Sequence, residues 1–171
     1  MSYVELRCHS AFSFLYGASE PETLAEAAQT LGYPALALTD RDGLYGAPRF
    51  YQAARKRGLH AIVGVDLQLR DRGRVLLLVE SAAGYRRLCR MISRAHLRQR
   101  RQPATGWEIE EAHGEPFAGI TLDDLDDAAG LLALWRGRDV AELDRLQAAF
   151  PGALYLELQR HARRDEEHHN R

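Results

Sequence analysis

Two rhythms of hydrophobic positions run along this chain of 171 residues. Short runs rich in aliphatic and β-branched residues lie at 3–9, 35–39, 61–69, 75–80, 130–134 and 153–159, and several are almost uninterrupted by polar residues. A strand reads this way when both of its faces are covered, because neither row of side chains meets water. Between the runs, apolar residues recur at intervals of three and four. Leu24, Ala28 and Leu31 form one stripe, Leu44, Ala47, Tyr51 and Ala54 a second, Tyr85, Leu88, Cys89 and Ile92 a third, and Leu143, Leu146 and Phe150 a fourth. That spacing places each set on one helix face. The alternation predicts an α/β fold of parallel strands joined by crossover helices, with the stripes serving as core.

Local punctuation sharpens the helix ends. Ser19-Glu20-Pro21-Glu22 reads as a capping box that opens the first helix, and Gly32 supplies its stop. Gly58 ends the second helix, and Pro48 predicts an irregular first turn within it. Asp139, with Glu142 three residues on, marks the start of the fourth. From 99 to 119 the periodicity fades, and two prolines with scattered charge predict a long loop.

A hydrophobic content of 46% fits one globular domain spanning 1–171, and the formal net charge of -1 gives no global attraction to nucleic acid. Local charge is uneven. Arg86, Arg87, Arg90, Arg94, Arg98, Arg100 and Arg101 cluster, and Glu108, Glu110, Glu111, Asp123, Asp124, Asp126 and Asp127 follow. The plain reading is a solvated basic helix face balanced by an acidic segment. A sharper one makes Arg86, Arg90, Arg94 and Arg98 a contact for DNA or a partner, although no aromatic residues are interleaved among them for base stacking. The apolar runs are too short to span a bilayer and no leader pattern opens the chain, so a cytoplasmic protein without membrane contact is expected. Cys8 and Cys89 form no CxxC pair and are read as small buried apolar residues.

Candidate chemistry sits where strands end, because loops leaving the carboxyl ends of parallel strands converge on one face. The first three ends are polar: Arg7-Cys8-His9-Ser10, Thr39-Asp40-Arg41-Asp42-Gly43 and Gly64-Val65-Asp66. A histidine and carboxylates gathered there are the donor types that hold a divalent metal and activate water for phosphoester hydrolysis. Taken singly, each is a common structural feature of a strand end.

Order and spacing add more. The segments His9-Ser10-Ala11-Phe12-Ser13-Phe14-Leu15-Tyr16-Gly17-Ala18-Ser19, Ala37-Leu38-Thr39-Asp40-Arg41-Asp42-Gly43-Leu44-Tyr45-Gly46 and Ile62-Val63-Gly64-Val65-Asp66 resemble the first three motifs of the polymerase and histidinol phosphatase (PHP) domain of bacterial C-family DNA polymerase alpha subunits. Gly84-Tyr85-Arg86-Arg87-Leu88-Cys89, Gly130-Leu131-Leu132-Ala133-Leu134 and Leu156-Glu157-Leu158-Gln159-Arg160-His161 match later blocks in order. The details look most like the error-prone, damage-associated paralogue, with the replicative subunit as the alternative. The resemblance implies a distorted, TIM-like β/α barrel of seven strands beside the palm and thumb of a polymerase. It also implies partnership with the remainder of that polymerase chain, with DNA through it, and with other damage-tolerance proteins.

The same comparison exposes departures. A metal-competent member carries His-x-His at the end of the first strand. Here the first of these is Arg7 and the second is His9. The position after the first motif's serine is Tyr16, the histidine after Thr-Asp is Arg41, the third motif's glutamate is Asp66, a further ligand histidine is Arg74, and a later cysteine or histidine is Gly137. His9 and Asp66 remain as remnant metal ligands, with Asp40 and Asp42 near them. Arginine has no lone pair and stays charged, so it cannot ligate. The expectation is that Arg7, Arg41 and Arg74 take over the space and charge of the lost metals by pairing with Asp40, Asp42 or Asp66, or else form an anion site.

No catalytic residue and no cofactor are assigned to this portion. Weakly bound Zn2+ or Mn2+ is the alternative, and Mg2+ belongs to the parent polymerase. The chain ends before the family's Asp-x-His motif, so an incomplete barrel and self-association are expected. The competing reading is a metal-dependent phosphoesterase or 3′–5′ exonuclease built on His9 and Asp66 with Asp40 assisting.

Overall fold

The structure, a computed structural model, describes residues 3–70, 73–100, 119–125, 127–137 and 139–158. The strands are β1 (Glu5–Cys8), β2 (Ala35–Leu38), β3 (His60–Gln68), β4 (Arg74–Val79), β5 (Leu131–Trp135) and β6 (Leu154–Leu156). The helices are α1 (Pro21–Thr30), α2 (Ala47–Lys56), α3 (Ala82–Arg100) and α4 (Val140–Ala149), with a 3-10 turn at Leu122–Leu125. The strands form one curled sheet in the order β1-β2-β3-β4-β5-β6, a half-barrel of six strands among the described residues.

The wholly parallel sheet expected from the alternation is not what forms. β1, β2 and β3 are parallel and β5 and β6 are parallel, but β4 is antiparallel to both of its neighbours. The cause is connection length. Only residues 69–73 separate β3 from β4, and Leu69 N–H donates to the Gly73 carbonyl at 3.0 Å to close a hairpin. So short a link cannot hold a crossover helix, which a parallel return requires.

Both faces of the sheet are apolar, as the uninterrupted runs imply. Along β4, Val75 and Leu77 join an outer core with Leu88, Met91, Leu131, Trp135, Leu146 and Phe150. Leu76 and Leu78 point inward to Ala37, Leu6, Ile62, Leu132 and Leu134. A second outer core joins α1 and α2 to β2 through Ala25, Ala28, Leu36, Leu38 and Phe50. Each buried leucine or phenylalanine contributes roughly 1.5–3 kcal/mol. A cavity of about 690 Å³, lined by Leu6, Leu76, Leu134, Leu156 and Leu158 among others, opens between the edge strands β1 and β6.

Helix ends follow the sequence in part. Asp139 caps α4, its carboxylate accepting from the backbone N–H groups of Ala141 at 2.9 Å and Glu142 at 3.3 Å. The capping box before α1 does not form. Glu20 stands at the cap without a side-chain bond there, and Glu22 is taken by Arg49 at 2.8 Å. Pro48 lies in the first turn of α2, where its missing N–H is not needed. The third helix continues to Arg100, past the predicted start of the long loop, and residues 101–118 of that loop lie outside the described ones. At the other end of α3, Gly84 packs on the Gly130 carbonyl with no space for a Cβ.

Candidate functional site at the strand ends

Asp66 reaches the site because its backbone is pinned between two neighbours. Its N–H donates to the Asp40 carbonyl at 3.1 Å, and its carbonyl accepts from Asp42 N–H at 3.0 Å. Asp42 turns there with φ of 55°, a left-handed conformation that aspartate tolerates better than most side chains. This turn aims the Asp42 carboxylate at β3 and β4, where Oδ1 accepts from Gln68 N–H at 2.8 Å and from Arg74 Nη2 at 3.0 Å.

Two arginines converge on Asp66. Arg7 Nη1 donates to Asp66 Oδ2 at 2.6 Å, and Arg74 Nε donates to Asp66 Oδ1 at 3.0 Å. Arg74 also bonds the Asp66 carbonyl through Nη2 and Gln68 Oε1 through Nη1 at 3.2 Å. Arg7 holds Glu157 in a two-pronged pair, Nε to Oε1 at 2.9 Å and Nη2 to Oε2 at 2.5 Å. The Asp66 side chain is 4% exposed, against 18% for Arg7 and 12% for Glu157. Two guanidinium groups thus join three carboxylates, and the network links both edges of the sheet to its centre.

The electrostatics follow. Burial alone would push the Asp66 carboxyl upward, but His9, Arg7 and Arg74 outweigh it and hold the group at about 2, below its ordinary 3.8. Burial works against the charge of Arg7, yet Glu157 and Asp66 raise its pKa above the ordinary guanidinium value. His9 Nε2 stands 3.5 Å from Asp66 Oδ2, beyond good hydrogen-bond alignment, and this buried nitrogen has no other hydrogen-bond partner among the described residues. The half-buried Cys8 thiol is pushed up to about 11, chiefly by burial, so it is no ready nucleophile.

Asp40 belongs to a separate arrangement. Its carboxylate, in a residue 2% exposed, accepts from Ser10 N–H at 2.7 Å, Ser10 Oγ at 2.8 Å and Ser13 Oγ at 2.7 Å. Those bonds fix the loop after β1. Arg41 therefore finds no carboxylate among the described residues. Its guanidinium lies over the Tyr16 ring at 3.6 Å, a cation–π contact instead of the expected ion pair. Of the three arginines expected to replace metal, Arg7 and Arg74 meet Asp66, and Arg74 also meets Asp42. Glu157 was missed as a site residue, being read only as part of a strand block. Its signal was a lone carboxylate between Leu156 and Leu158 at a strand end.

The donor set does not suit a metal. Among the described residues no group of three or more histidines, cysteines or carboxylates could hold one. His9 and Asp66 do lie side by side, but both Asp66 oxygens are taken by guanidinium groups. The donor groups of Arg7 are likewise occupied by carboxylates, and those of Arg74 by Asp66, Asp42, the Asp66 carbonyl and the Gln68 amide oxygen, which leaves them poorly placed to bind a free anion.

The α3 arginines divide. Arg87 pairs with Asp127 at 2.5 Å and Arg98 with Asp124 at 2.5 Å, so part of the acidic segment does neutralise the helix. Arg90 is 3.7 Å from Asp127, and Arg86 and Arg94 are exposed.

Comparison with known proteins adds the family context. The PHP domain family matches residues 5–161. An error-prone DNA polymerase from Pseudomonas fluorescens is 42% identical over 171 residues, which covers 98% of this chain and 15% of that protein. One from Symbiobacterium thermophilum is 38% identical, covering 92% of this chain and 16% of that protein. The chain thus spans about a seventh of the length of these relatives, at their N-terminal regions. Among solved structures, a protein from Bifidobacterium adolescentis described as a metal-dependent phosphoesterase matches with a TM-score of 0.59 and 17% identity, covering 92% of this chain and 78% of that one. An amidohydrolase from Chromobacterium violaceum, with bound sulfate and no metal, matches with a TM-score of 0.55 and 19% identity, covering 91% and 76%.

Proposed function

The chain belongs to the PHP domain family, and from that premise we propose that it is the N-terminal PHP portion of an error-prone DNA polymerase, acting as a structural and interaction module. The observation that carries this reading is the network of Arg7, Arg74, Asp66, Asp42 and Glu157. It places fixed positive charge where a hydrolytic site needs electron-pair donors. The arginines tie both edges of the sheet to its centre, so the mouth of the half-barrel keeps its shape by ion pairs. Such pairs fix geometry more than they add net stability, because desolvation offsets most of their attraction.

In this reading the cavity between β1 and β6 is the place where a seventh strand closes a TIM-like barrel, and its leucine lining supports that closure. Nucleotide transfer, with Mg2+, belongs to the rest of the longer polymerase, which is the module's first partner and its route to DNA. The relatives' name favours synthesis across damaged template over bulk replication. A cytoplasmic location goes with this reading. Among the described residues, no helix is long and apolar enough to cross a membrane.

A hydrolytic reading draws on how the structural neighbours are described. It stops at ligand count, since a catalytic zinc takes about three protein ligands besides water and His9 with Asp66 falls short. The test is release of nucleotide from a 3′-labelled DNA strand, and cleavage of a simple phosphodiester, with added Zn2+ or Mn2+. The module should show no metal-stimulated release. Release that is abolished in Asp66→Asn would overturn the proposal.

A further inference from the structure

We propose that the cleft between α2 and α3 is a docking groove for an amphipathic helix with acidic flanks, presented by a separate protein. The cleft exists for a topological reason. β3 returns directly into β4 through a hairpin, so no crossover helix covers that part of the outer sheet face. The helices on either side belong to two different outer cores, and Val63 and Val79 lie at the seam. The result is an open cavity of about 590 Å³ with an aliphatic floor and with Pro48, Tyr51 and Tyr85 as walls. Tyr51 is 50% exposed and Tyr85 37% exposed, unlike the fully buried side chains on either side.

The rim identifies the occupant. Arg86 lines the cleft, and the exposed Arg90 and Arg94 follow it at four-residue spacing along α3, beyond the lining itself. Arg55 stands four residues after Tyr51 on the same face of α2. Arg55, Arg86 and Arg94 are exposed and make no ion pair with a described carboxylate, while Arg90 has only a 3.7 Å approach to Asp127. Glu80 is the single acidic residue in the lining. An apolar trough with Arg86 at its edge and further exposed arginines along both flanking helices is complementary to a helix with leucine-type anchors at i, i+4 and i+7 and carboxylates beside them.

A nucleic-acid strand fits less well. The floor of Ala47, Val63, Val79 and Ala82 offers no flat stacking surface, although the structure does bring two tyrosines beside Arg86, which the sequence alone does not reveal. A charged rim around partly wet tyrosines also marks a reversible contact between separate molecules, since permanent interfaces are more apolar. The groove does not share residues with the arginine network, so it stands or falls separately from the scaffold reading.

The probe is a stapled helical peptide of about four turns carrying leucine anchors and glutamate flanks, titrated against the 171-residue chain and followed by amide chemical shifts. Shifts should map to Val63, Val79, Ala82 and Tyr85. The exposed double variant Arg86→Glu with Arg90→Glu should weaken binding by roughly tenfold or more while leaving the circular dichroism unchanged. A lysine-flanked version of the peptide should bind that variant better than the parent chain. Absence of binding, equal affinity for both peptides, or displacement of the acidic peptide by a thymidine oligonucleotide at lower concentration would each overturn the proposal.

Discussion

Replacing Arg7 by methionine tests the network at its most connected member. The change keeps most of the side-chain volume but leaves Glu157 without its two-pronged partner and leaves Asp66 with Arg74 and His9 alone. Removing one partner of a fully buried pair costs about 3–5 kcal/mol. Arg7 and Glu157 keep 18% and 12% exposure and Asp66 retains one guanidinium, which lowers the expected loss to about 2–3 kcal/mol. For a chain of this length that corresponds to a fall in melting temperature of roughly 4–12 °C. The assay is urea unfolding at neutral pH, with the slope checked for constancy. Adding Glu157→Leu should recover more than half of the loss, because the orphaned carboxylate goes with it. A single-mutant loss below about 0.5 kcal/mol, the range of exposed pairs, would refute the reasoning. So would a double mutant whose loss is the sum of its parts.

Three further outcomes follow from the same geometry. The Asp66 carboxyl falls from 3.8 to about 2 on folding, a depressed acid, so its contribution of about 2 kcal/mol is present above the unfolded value and is lost as pH falls through the folded one. The urea-stability gap between the parent chain and Asp66→Asn should therefore be constant at neutral pH and close between about pH 4 and 2; a gap that persists at the acid end would contradict this. Gly84→Ala drives a methyl group into the Gly130 carbonyl and should cost about 1–3 kcal/mol in thermal unfolding, a loss that a neutral result would rule out. Asp40→Ala strands Ser10 N–H and the Ser10 and Ser13 hydroxyls and should cost about 3 kcal/mol, with faster amide exchange in the loop after β1 as its local signature.

Much of this fold is legible in the sequence, and the reason is visible in β4. Its two rows of side chains face separate apolar cores, so the run 75–79 is continuously apolar, and the same holds in part for β2 and β5. Helix stripes and the Asp139 cap are equally local, which is why they could be read. Strand direction was less accessible. The gap of a few residues between the third and fourth runs was a hairpin signal that the dominant helix–strand alternation concealed.

At the site, the charged strand ends could be read from the sequence, but partner choice could not. Arg7 and Arg74 meet Asp66, whereas Arg41 turns onto Tyr16 because Asp40 is already saturated by two serines. Glu157 joins from residues more than a hundred positions away, and only the curl of the sheet brings it to Arg7. The tyrosines of the α2–α3 cleft show the same limit, since Tyr51 and Tyr85 lie in different periodic stripes and become neighbours only through the β3–β4 hairpin.

The central claim is that guanidinium groups, and no metal, hold the strand ends of this chain together. Elemental analysis of the protein, purified without chelator and then dialysed against Zn2+ and Mn2+, tests it most directly. The account predicts substoichiometric metal and a melting temperature unmoved by added Zn2+, Mn2+ or chelator. Two or more tightly bound ions per chain, lost together with stability on chelation, would contradict it.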